Sequence, residues 1–501
     1  MTVRRNVIAN YLGQGWTTLM GLAFIPVYIR LLGIEAYGLI GIFALLQTWL
    51  SLLDLGLTPT ISREMARFTV GGHDPQSIRD LLRSVEIITL GLAALVSVGV
   101  WASSAWLAAN WLDAESLSAN AVANALAIMG AVVGLRFVES IYRSSIVGLQ
   151  RQVALNAVVG VVATLRGLGA VGILVWISPT ITAYFVWQGI VSAITVGALG
   201  ILVHRSLPPS TRTSRVSLEP LREVWRFAAG TVTLTFLGLL LSQADKVILS
   251  SILSLSAFAI YSLAYTGASA VRLLAIPIDQ AVFPRLTQLH QEGDQRGLAH
   301  LYHRATQYSA VLMGGIGLFL AVFGREVLVL WTQDAALADK TYAVLWILVI
   351  GMILNGIMNT PYYLQMAAGW TDLLVRVNAV MVVMFVPLIY VLAQTFGVTG
   401  AAASWVLLNL VYAVAVAQLM HRRLLPSEKR DWYTKDVLLP LVAAAATALL
   451  LKRIVPAELG ILPMILALSL SLAVTVTVAA VAAEYVRAAL IGQLRLAFRR
   501  A

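Results

Sequence analysis

Four long apolar segments of this chain each carry polar side chains along one helical face. Residues three, four or seven apart share a face at about 100° per residue. Polar groups inside a membrane are costly and usually face a cavity or a partner, so this pattern predicts helices that line a shared, water-accessible cleft. The residues are, in chain order, Asn6, Asn10, Gln14 and Thr17, then Gln47, Ser51, Asp54 and Thr58, then Thr231, Thr235, Ser242 and Asp245, and finally Tyr261, Tyr265, Arg272 and Asp279.

A subset of these side chains is expected to contact the substrate. In membrane helices such residues often serve only as hydrogen-bond partners between helices, and for any single residue this alternative stays open. The joint pattern over four helices favours the cleft. The predicted cavity residues are Asn10, Gln14, Gln47, Ser51, Ser242, Tyr261, Tyr265 and Arg272.

Other charged residues inside the segments have structural explanations as well. Arg136 and Glu139 are three residues apart, which predicts an internal ion pair. Arg166 has no acid on its own helix, so it needs a partner elsewhere or an anionic ligand. Asp245 and Lys246 are adjacent and should point to different faces, where each could pair with another helix.

The elements that must position these side chains are apolar spans, each long enough to cross a bilayer as a tilted helix. The chain is 59% hydrophobic and 12% charged, against roughly 25% charged residues in an ordinary globular domain. We therefore predict an all-α integral membrane protein of about fourteen transmembrane helices. The predicted spans are 6–31, 36–62, 82–110, 119–148, 153–178, 180–204, 226–253, 256–286, 303–331, 338–367, 371–396, 398–421, 436–455 and 460–485.

Most of the basic residues lie on every other connection between these spans. Because Lys and Arg near span ends stay on the cytoplasmic side, both termini are predicted to be cytoplasmic. The net charge of +11 is then explained by anionic lipid rather than by nucleic acid. Residues 1–31 resemble a signal peptide in outline, but their length and the polar Asn10 and Gln14 favour a retained span.

A weak internal repeat divides the chain. Asp54 and Pro59 end the second span with the same D-x4-P spacing that Asp279 and Pro284 show in the eighth. An even number of spans separates the copies, which predicts a parallel repeat. The predicted divisions are an N-lobe at 1–205 (helices 1–6), a cytoplasmic linker at 206–222, a C-lobe at 223–425 (helices 7–12), helices 13–14 at 426–486 and a basic cytoplasmic tail at 487–501.

Several chemistries have no support in the sequence. There is no phosphate-binding G-x-x-x-x-G-K-[ST] loop and no G-x-S-x-G nucleophile motif, and the absence of cysteine excludes disulfides and thiolate catalysis. All histidines lie on cytoplasmic segments. His300 and His303 form an H-x-x-H pair, which we interpret as a solvated loop rather than a metal site. No cofactor or metal is expected.

Two stretches resemble the opening and the second half of Wzx-type polysaccharide flippases, which belong to the multidrug/oligosaccharidyl-lipid/polysaccharide exporter superfamily. The first is Arg30-Leu-Leu-Gly33, Tyr37-Gly38, Ser51-Leu-Leu-Asp54-Leu-Gly56 and Arg63. The second is Gln243-Ala-Asp245-Lys246, Tyr261-Ser-Leu-Ala-Tyr265 and Phe283-Pro284-Arg285. The resemblance covers roughly residues 5–425.

This resemblance implies a two-lobed transporter whose helices 1, 2, 7 and 8 line a central cationic cavity. The implied cargo is an undecaprenyl-pyrophosphate-linked oligosaccharide, moved from the inner to the outer leaflet of the bacterial cytoplasmic membrane for cell-surface polysaccharide assembly. Helices 13 and 14 resemble an addition in lipid II flippases. Membrane lipids, H⁺ or Na⁺, and the polysaccharide assembly machinery are the other implied partners.

The implied roles fall on particular charged residues. No basic residue lies between Arg5 and Arg30, so helix 1 lacks the arginines expected in the lipid II relatives. The phosphate-binding cations would then be Arg272, Arg166, Arg136 and Lys246. As a hypothesis, Asp54, Asp245 or Asp279 changes protonation or ion occupancy, although Asp54 and Asp279 could instead be contacts between lobes.

Two other functions stay open at this point. A cation-coupled drug or metabolite antiporter of the same superfamily would share the fold, but helix 1 lacks the acid that many such exporters carry. A polytopic glycosyltransferase or polymerase would usually need a sizeable outer loop. The outer connections predicted here are too short for one.

Overall fold

A computed structural model of the protein describes residues 3–54, 56–72, 74–209, 219–273, 275–456 and 459–498. The side chains of residues 3, 4, 7, 51, 219–235, 273, 494 and 496–498 also lie outside this description. Much of the predicted linker at 206–222, and the side chains of Thr231 and Thr235, therefore cannot be compared with the prediction. The chain forms two compact units, Met1–Ala259 and Ile260–Ala501. The predicted six-helix lobes stay a prediction.

Unit 1 is a helical bundle. Its apolar core lies among α4, α5, α6, α7 and α8, where Ile61, Met65, Leu82 and Leu199 are fully enclosed. The helices are α1 (Val3–Ala23), α2 (Ile25–Leu32), α3 (Ile34–Leu50), α4 (Leu57–Thr69), α5 (Pro75–Asn110), α6 (Ala119–Gly148), α7 (Gln152–Trp176), α8 (Ile181–Ser206), α9 (Glu219–Ile252) and the start of α10 (Leu255–Leu273), with a 3₁₀ turn at Ser51–Asp54.

Unit 2 contains the remainder of α10 and the helices that follow. Its apolar clusters join α13 to α19 and α20, with Phe323 and Ala479 enclosed between them. The helices are α11 (Ile276–Glu292), α12 (Gln295–Ser309), α13 (Gly315–Thr332), α14 (Ala335–Ile357), α15 (Asn359–Ala367), α16 (Thr371–Val411), α17 (Ala417–Leu424), α18 (Lys429–Asp431), α19 (Leu439–Ile454), α20 (Ile461–Ala482) and α21 (Glu484–Phe498), with π-helical segments at Ala310–Gly314, Tyr412–Val416 and Trp432–Leu438.

The prediction of an all-helical membrane protein is confirmed at this level. Within the described residues there is no strand, and the single β-bridge joins Asp113 to Ser254. In the part of the chain that the structure describes, eleven helical stretches are long and apolar enough to cross a membrane, or twelve when the bent pair α10 and α11 counts as one span. Large apolar side chains such as Trp176 and Val383 are 85% and 74% exposed, as expected of surfaces that face lipid.

The exact number of fourteen spans stays a prediction. One apolar stretch, Thr371–Leu424, has 54 residues, which at 1.5 Å per residue far exceeds a hydrocarbon core of about 30 Å. Gly397, with φ 60° and ψ −140°, interrupts its helical backbone.

The second and the eighth predicted spans, which carry the acids Asp54 and Asp279, are each divided into two helices. The predicted span 36–62 ends at Asp54, and α4 begins at Leu57 after Gly56, whose φ is 80°. Pro59 favours this break, because proline lacks an N–H and fits best in the first turn of a helix. In the predicted span 256–286, α10 and α11 meet at an angle of 46°, and Pro277 occupies the first turn of α11.

One buried carboxylate fixes the loop of residues 111–118 between α5 and α6. Glu35, 4% exposed, accepts hydrogen bonds from the backbone N–H of Glu115 at 2.5 Å and of Ser116 at 2.7 Å, and from the Ser116 hydroxyl. The same loop reaches the turn between α9 and α10, where Asp113 O accepts from Leu255 N at 2.7 Å. Trp111 Nε1 also donates to Ser250 Oγ at 3.0 Å.

Candidate functional site

A cavity of about 270 Å³ lies in unit 1 between the broken helix α3–α4 and α6. It brings together residues that the sequence assigns to three different roles: a cavity residue, an ion-coupling acid and a phosphate-binding cation. The lining residues are Gln47, Leu50, Asp54, Thr58, Val133, Arg136, Phe137 and Ser140.

Asp54 lies at the helix break and is half-buried. Its Oδ1 accepts from the Thr58 backbone N–H at 3.1 Å, and its Oδ2 accepts from the Thr58 hydroxyl at 2.7 Å. The carboxylate therefore caps α4, whose first N–H groups have no intrahelical partner. It can face the cavity and hold the start of α4 at the same time.

Arg136 is held from three directions. Its Nη1 donates to Gln47 Oε1 at 2.5 Å, its Nη2 donates to Gln188 Oε1 at 3.2 Å, and its guanidinium lies 4.7 Å from the centre of the Phe43 ring. Neutral amides and an aromatic face orient the cation without cancelling its charge. The guanidinium therefore lines the cavity with no carboxylate among its hydrogen-bond partners in the described part of the chain.

Glu139 does not form the predicted ion pair with Arg136. Its Oε2 accepts from Arg166 Nη2 at 2.9 Å and its Oε1 accepts from Arg143 Nη1 at 3.3 Å. Arg143 lies one turn further along α6, and Arg166 reaches across from α7, so tertiary packing supplied the closer partners. The sequence left Arg166 with either a protein partner on another helix or an anionic ligand, and the structure shows a protein partner. Its Nη2 also donates to Ser192 Oγ at 3.4 Å.

In unit 2, Asp279 is half-buried in the first turn of α11, where its Oδ2 accepts from Asn359 Nδ2 at 2.9 Å. Arg272, at the end of α10, is exposed and close enough to interact electrostatically with Asp279. Whether Arg272 also binds phosphate stays a prediction.

Asp245 and Lys246 contact each other, in addition to any pairing with other helices. They are neighbours on α9, yet Lys246 Nζ lies 3.5 Å from Asp245 Oδ1, and Lys246 also donates to Ser242 O at 3.2 Å. A lysine side chain is long enough to fold back along its own helix. Both residues are buried, so they neutralise each other inside the bundle.

The remaining predicted cavity residues are dispersed. Asn10 Oδ1 accepts from Asn156 Nδ2 of α7 at 2.7 Å, whereas Gln14 is exposed. Ser242 Oγ donates to Leu239 O at 3.2 Å. Tyr261 is fully buried and Tyr265 half-buried. The side chain of Ser51 lies outside the described residues, and the shared cleft stays a prediction.

Sequence reasoning missed two polar groups. Gln188 on α8 completes the support of Arg136, but a single glutamine in an apolar span gave no periodic signal. His303 was interpreted as part of a solvated loop and instead lies on α12, where it is 6% exposed against two carboxylates. The surrounding acids come from distant positions along the chain, so spacing did not reveal them.

Comparison with known proteins identifies the family. Residues 3–290 match the family model described as polysaccharide biosynthesis protein. The chain belongs to the polysaccharide biosynthesis protein family. A putative O-antigen transporter from Shigella flexneri is 20% identical over 414 residues, which covers 81% of this chain and 94% of that relative.

Two solved structures show the fold of this polysaccharide biosynthesis protein. The lipid II flippase MurJ, in an inward closed conformation, matches with a TM-score of 0.67 at 11% identity and covers 94% of this chain and 97% of its own. An inward-facing MATE family multidrug resistance transporter of the MOP superfamily matches with a TM-score of 0.66 at 15% identity and covers 83% and 96%.

These similarities confirm the predicted resemblance to Wzx-type flippases of this superfamily. They also confirm that this polysaccharide biosynthesis protein is a multi-pass protein of the bacterial inner membrane. The relatives are named as transporters or a flippase, so the chain is a transporter, and the glycosyltransferase alternative falls away.

Proposed function

We propose that this transporter moves an undecaprenyl-pyrophosphate-linked oligosaccharide from the inner to the outer leaflet by alternating access. The observation that carries the proposal is Arg136, a cation within a membrane span that lines the 270 Å³ cavity and whose hydrogen bonds go to the neutral side chains of Gln47 and Gln188. Support comes from the family and from the relative named as a putative O-antigen transporter.

The chemistry of the cavity suits such a cargo. Pyrophosphate and sugars cannot cross hydrocarbon unaided, because unsatisfied polar groups there cost several kcal/mol each. Gln47, Thr58 and Ser140 offer amide and hydroxyl groups in place of water. Arginine adds a planar fork that binds phosphate oxygens in pairs. The polyprenyl tail would stay in lipid.

The wider arrangement follows from the same proposal. Arg272 of unit 2 is a second candidate for binding phosphate. Arg166 and Lys246, the other two predicted cations, would first have to leave Glu139 and Asp245. Asp54, Asp245 or Asp279 would couple transport to H⁺ or Na⁺. The proposed architecture is two six-helix lobes, helices 13 and 14, and cytoplasmic termini. The wider coverage by the lipid II flippase than by the MATE transporter supports the added helix pair.

The test uses purified protein in proteoliposomes with a fluorescent undecaprenyl-pyrophosphate oligosaccharide. We expect transport in wild type, a loss of about tenfold or more in Arg136→Gln, as a missing charged hydrogen bond implies, and partial retention in Arg136→Lys, which keeps only the charge. Arg272→Ala tests the second cation, and Arg422→Gln, an exposed arginine of α17, is the matched control.

The outcomes of this assay distinguish the flippase function, the phosphate site and the antiporter alternative. Transport that survives both Arg136→Gln and Arg272→Ala would keep the function and discard the phosphate site. No transport of any lipid-linked glycan, together with export of organic cations, would favour the antiporter instead.

A further inference from the structure

A second polar cluster lies in unit 2, on the side predicted to be cytoplasmic. Its centre is His303 on α12, which is 6% exposed. The imidazole Nδ1 contacts Asp436 Oδ2 in the Trp432–Leu438 segment, and Nε2 lies 3.0 Å from Glu428 Oε2, in the linker of residues 425–428 before α18. The ring thus connects α12 to two neighbouring segments whose carboxylates lie 125 and 133 residues further along the chain.

Both carboxylates favour the protonated ring. A neutral imidazole has one N–H donor, whereas the imidazolium donates from both nitrogens. Hydrogen bonds from Ser427 and from His303 hold the pKa of Glu428 below its usual range, so Glu428 is ionised at neutral pH. Asp436, 1% exposed, accepts a further hydrogen bond from Gln307 Nε2 at 2.8 Å.

A neighbouring histidine provides the contrast. His421 Nδ1 lies 2.7 Å from Ala417 O, which requires an N–H at that nitrogen. Its Nε2 lies 3.1 Å from the Tyr302 hydroxyl, so it accepts that proton. These contacts fit a neutral His421, while those of His303 fit a cation.

Water can reach the His303 cluster. His303 and Glu428 line a cavity of about 390 Å³, which Arg296, His300 and Tyr485 also line. The cluster extends to α21 as well, because Gln307 Oε1 accepts from the Tyr485 backbone N–H at 2.8 Å. The titratable and charged groups on the elements that form the cluster or line its cavity are Arg296, His300, Tyr302, Arg304 and Tyr308 of α12, His421, Arg422 and Arg423 of α17, Lys429, Arg430 and Asp431 of α18, Tyr433 and Lys435 beside Asp436, and Glu484, Tyr485, Arg487 and Arg495 of α21.

We propose that His303 is a proton-binding site whose protonated form locks the Trp432–Leu438 segment and the linker 425–428 onto α12. A proton bound there supplies the second hydrogen bond, so the locked arrangement has the higher proton affinity. The lock is therefore complete at low pH and opens as pH rises through the titration of His303. The segment that it holds leads directly into α19. The effect of His303 protonation on these two segments does not depend on which cargo the protein transports.

The test exploits the absence of cysteine from the chain. Val437→Cys places one thiol in the locked segment, where Val437 is 8% exposed, and Val70→Cys places a reference thiol at a position that is 84% exposed. The full-length protein in nanodiscs is labelled from about pH 5.5 to 8.5, the range in which histidine titrates. The ratio of the two labelling rates removes the intrinsic pH dependence of the thiolate.

We expect the ratio to rise roughly tenfold with pH, the factor that corresponds to about 1.4 kcal/mol. In His303→Gln the ratio should not depend on pH, because glutamine does not titrate. Glu428→Gln should move the step to lower pH, because one carboxylate that favours the cation is removed. His300→Gln, an exposed histidine of the same cavity, should leave the step unchanged.

A flat ratio in the wild-type background would overturn the proposal, as would an unchanged step in His303→Gln. If His303→Gln does not fold, the direction of the Glu428→Gln shift decides: a step that stays in place or moves to higher pH rejects His303 as the proton site.

Discussion

Two half-buried arginines of unit 1 have different electrostatic surroundings. Arg166 is neutralised by Glu139 at 2.9 Å, whereas Arg136 is supported by two glutamines and an aromatic ring. A buried ion pair stabilises mainly because breaking it leaves an unpaired charge. Arg166 is therefore better suited to holding α6 and α7 together, and Arg136 to binding a ligand.

Glu139→Gln should lower thermal stability, because it leaves Arg166 without its anion. The expected cost is about 3 kcal/mol, as for other buried pairs that lose one partner, and a melting curve of the protein in detergent measures it. The double variant Glu139→Gln/Arg166→Met should recover most of the stability that Glu139→Gln loses, because no unpaired charge remains. If Glu139→Gln melts like wild type, the pair does not stabilise the bundle.

Asp54→Asn should keep the fold and change only the charge. The asparagine Oδ1 can still accept from the Thr58 backbone N–H, so α4 stays capped. A pH or Na⁺ gradient should stimulate flux in the wild type. We expect this stimulation to be lost in Asp54→Asn, Asp245→Asn or Asp279→Asn, whichever carries the coupling acid, while basal flux remains. A flux assay with pH and Na⁺ jumps, unchanged in all three variants, would reject ion coupling through these acids.

At the scale of the elements, broken helices determine where the polar groups lie. The breaks before α4 and α11 put Asp54 at the end of one helical segment and Asp279 in the first turn of the next. The two acids share a D-x4-P spacing but occupy different positions relative to their breaks. Unpaired backbone groups at such breaks are tolerated in membranes where protein or a cavity surrounds them.

The loop of residues 111–118 belongs to the predicted N-lobe, and the α9–α10 turn belongs to the predicted C-lobe. If transport proceeds by the alternating access proposed above, we expect this contact to open during each cycle. The parallel bridge between Asp113 and Ser254 brings two backbones as close as a disulfide requires. We expect oxidised Asp113→Cys/Ser254→Cys to lose nearly all flux in proteoliposomes and to regain it on reduction. Each single cysteine variant is the control. Full activity in the cross-linked protein would show that this contact need not open.

At the scale of the whole molecule, the distribution of charge predicts orientation. Basic residues cluster on alternate connections, and Lys and Arg remain cytoplasmic. The sidedness of every site, including the His303 cluster, depends on it.

Thiol labelling in whole cells tests that orientation. Val70→Cys, in a basic connection, should react with a membrane-impermeant reagent only after permeabilisation. Ser178→Cys, in a connection without basic residues, should react in intact cells. The opposite result would invert the topology, and Val70→Cys in permeabilised cells shows that the thiol itself is reactive.

The sequence by itself was sufficient to predict that this protein lies in a lipid bilayer. Apolar spans, alternating basic connections and the order of loose motifs were enough for an all-helical membrane transporter of the right superfamily, because these properties are local and repeat along the chain. The helix breaks were also recoverable in principle, since Pro59 and Pro277 each cost a backbone hydrogen bond at a known position.

Only the tertiary structure decided which charges meet. Arg136 and Glu139 had the right spacing for a pair, yet Arg166 from α7 and Gln188 from α8 displaced that arrangement. His303 gained its two carboxylates from a linker and a segment that lie far along the chain. Spacing along one helix reports only neighbours on that helix, whereas an ionisable group in a membrane takes whichever counter-charge packing brings within a few ångströms, because leaving it unpaired costs more.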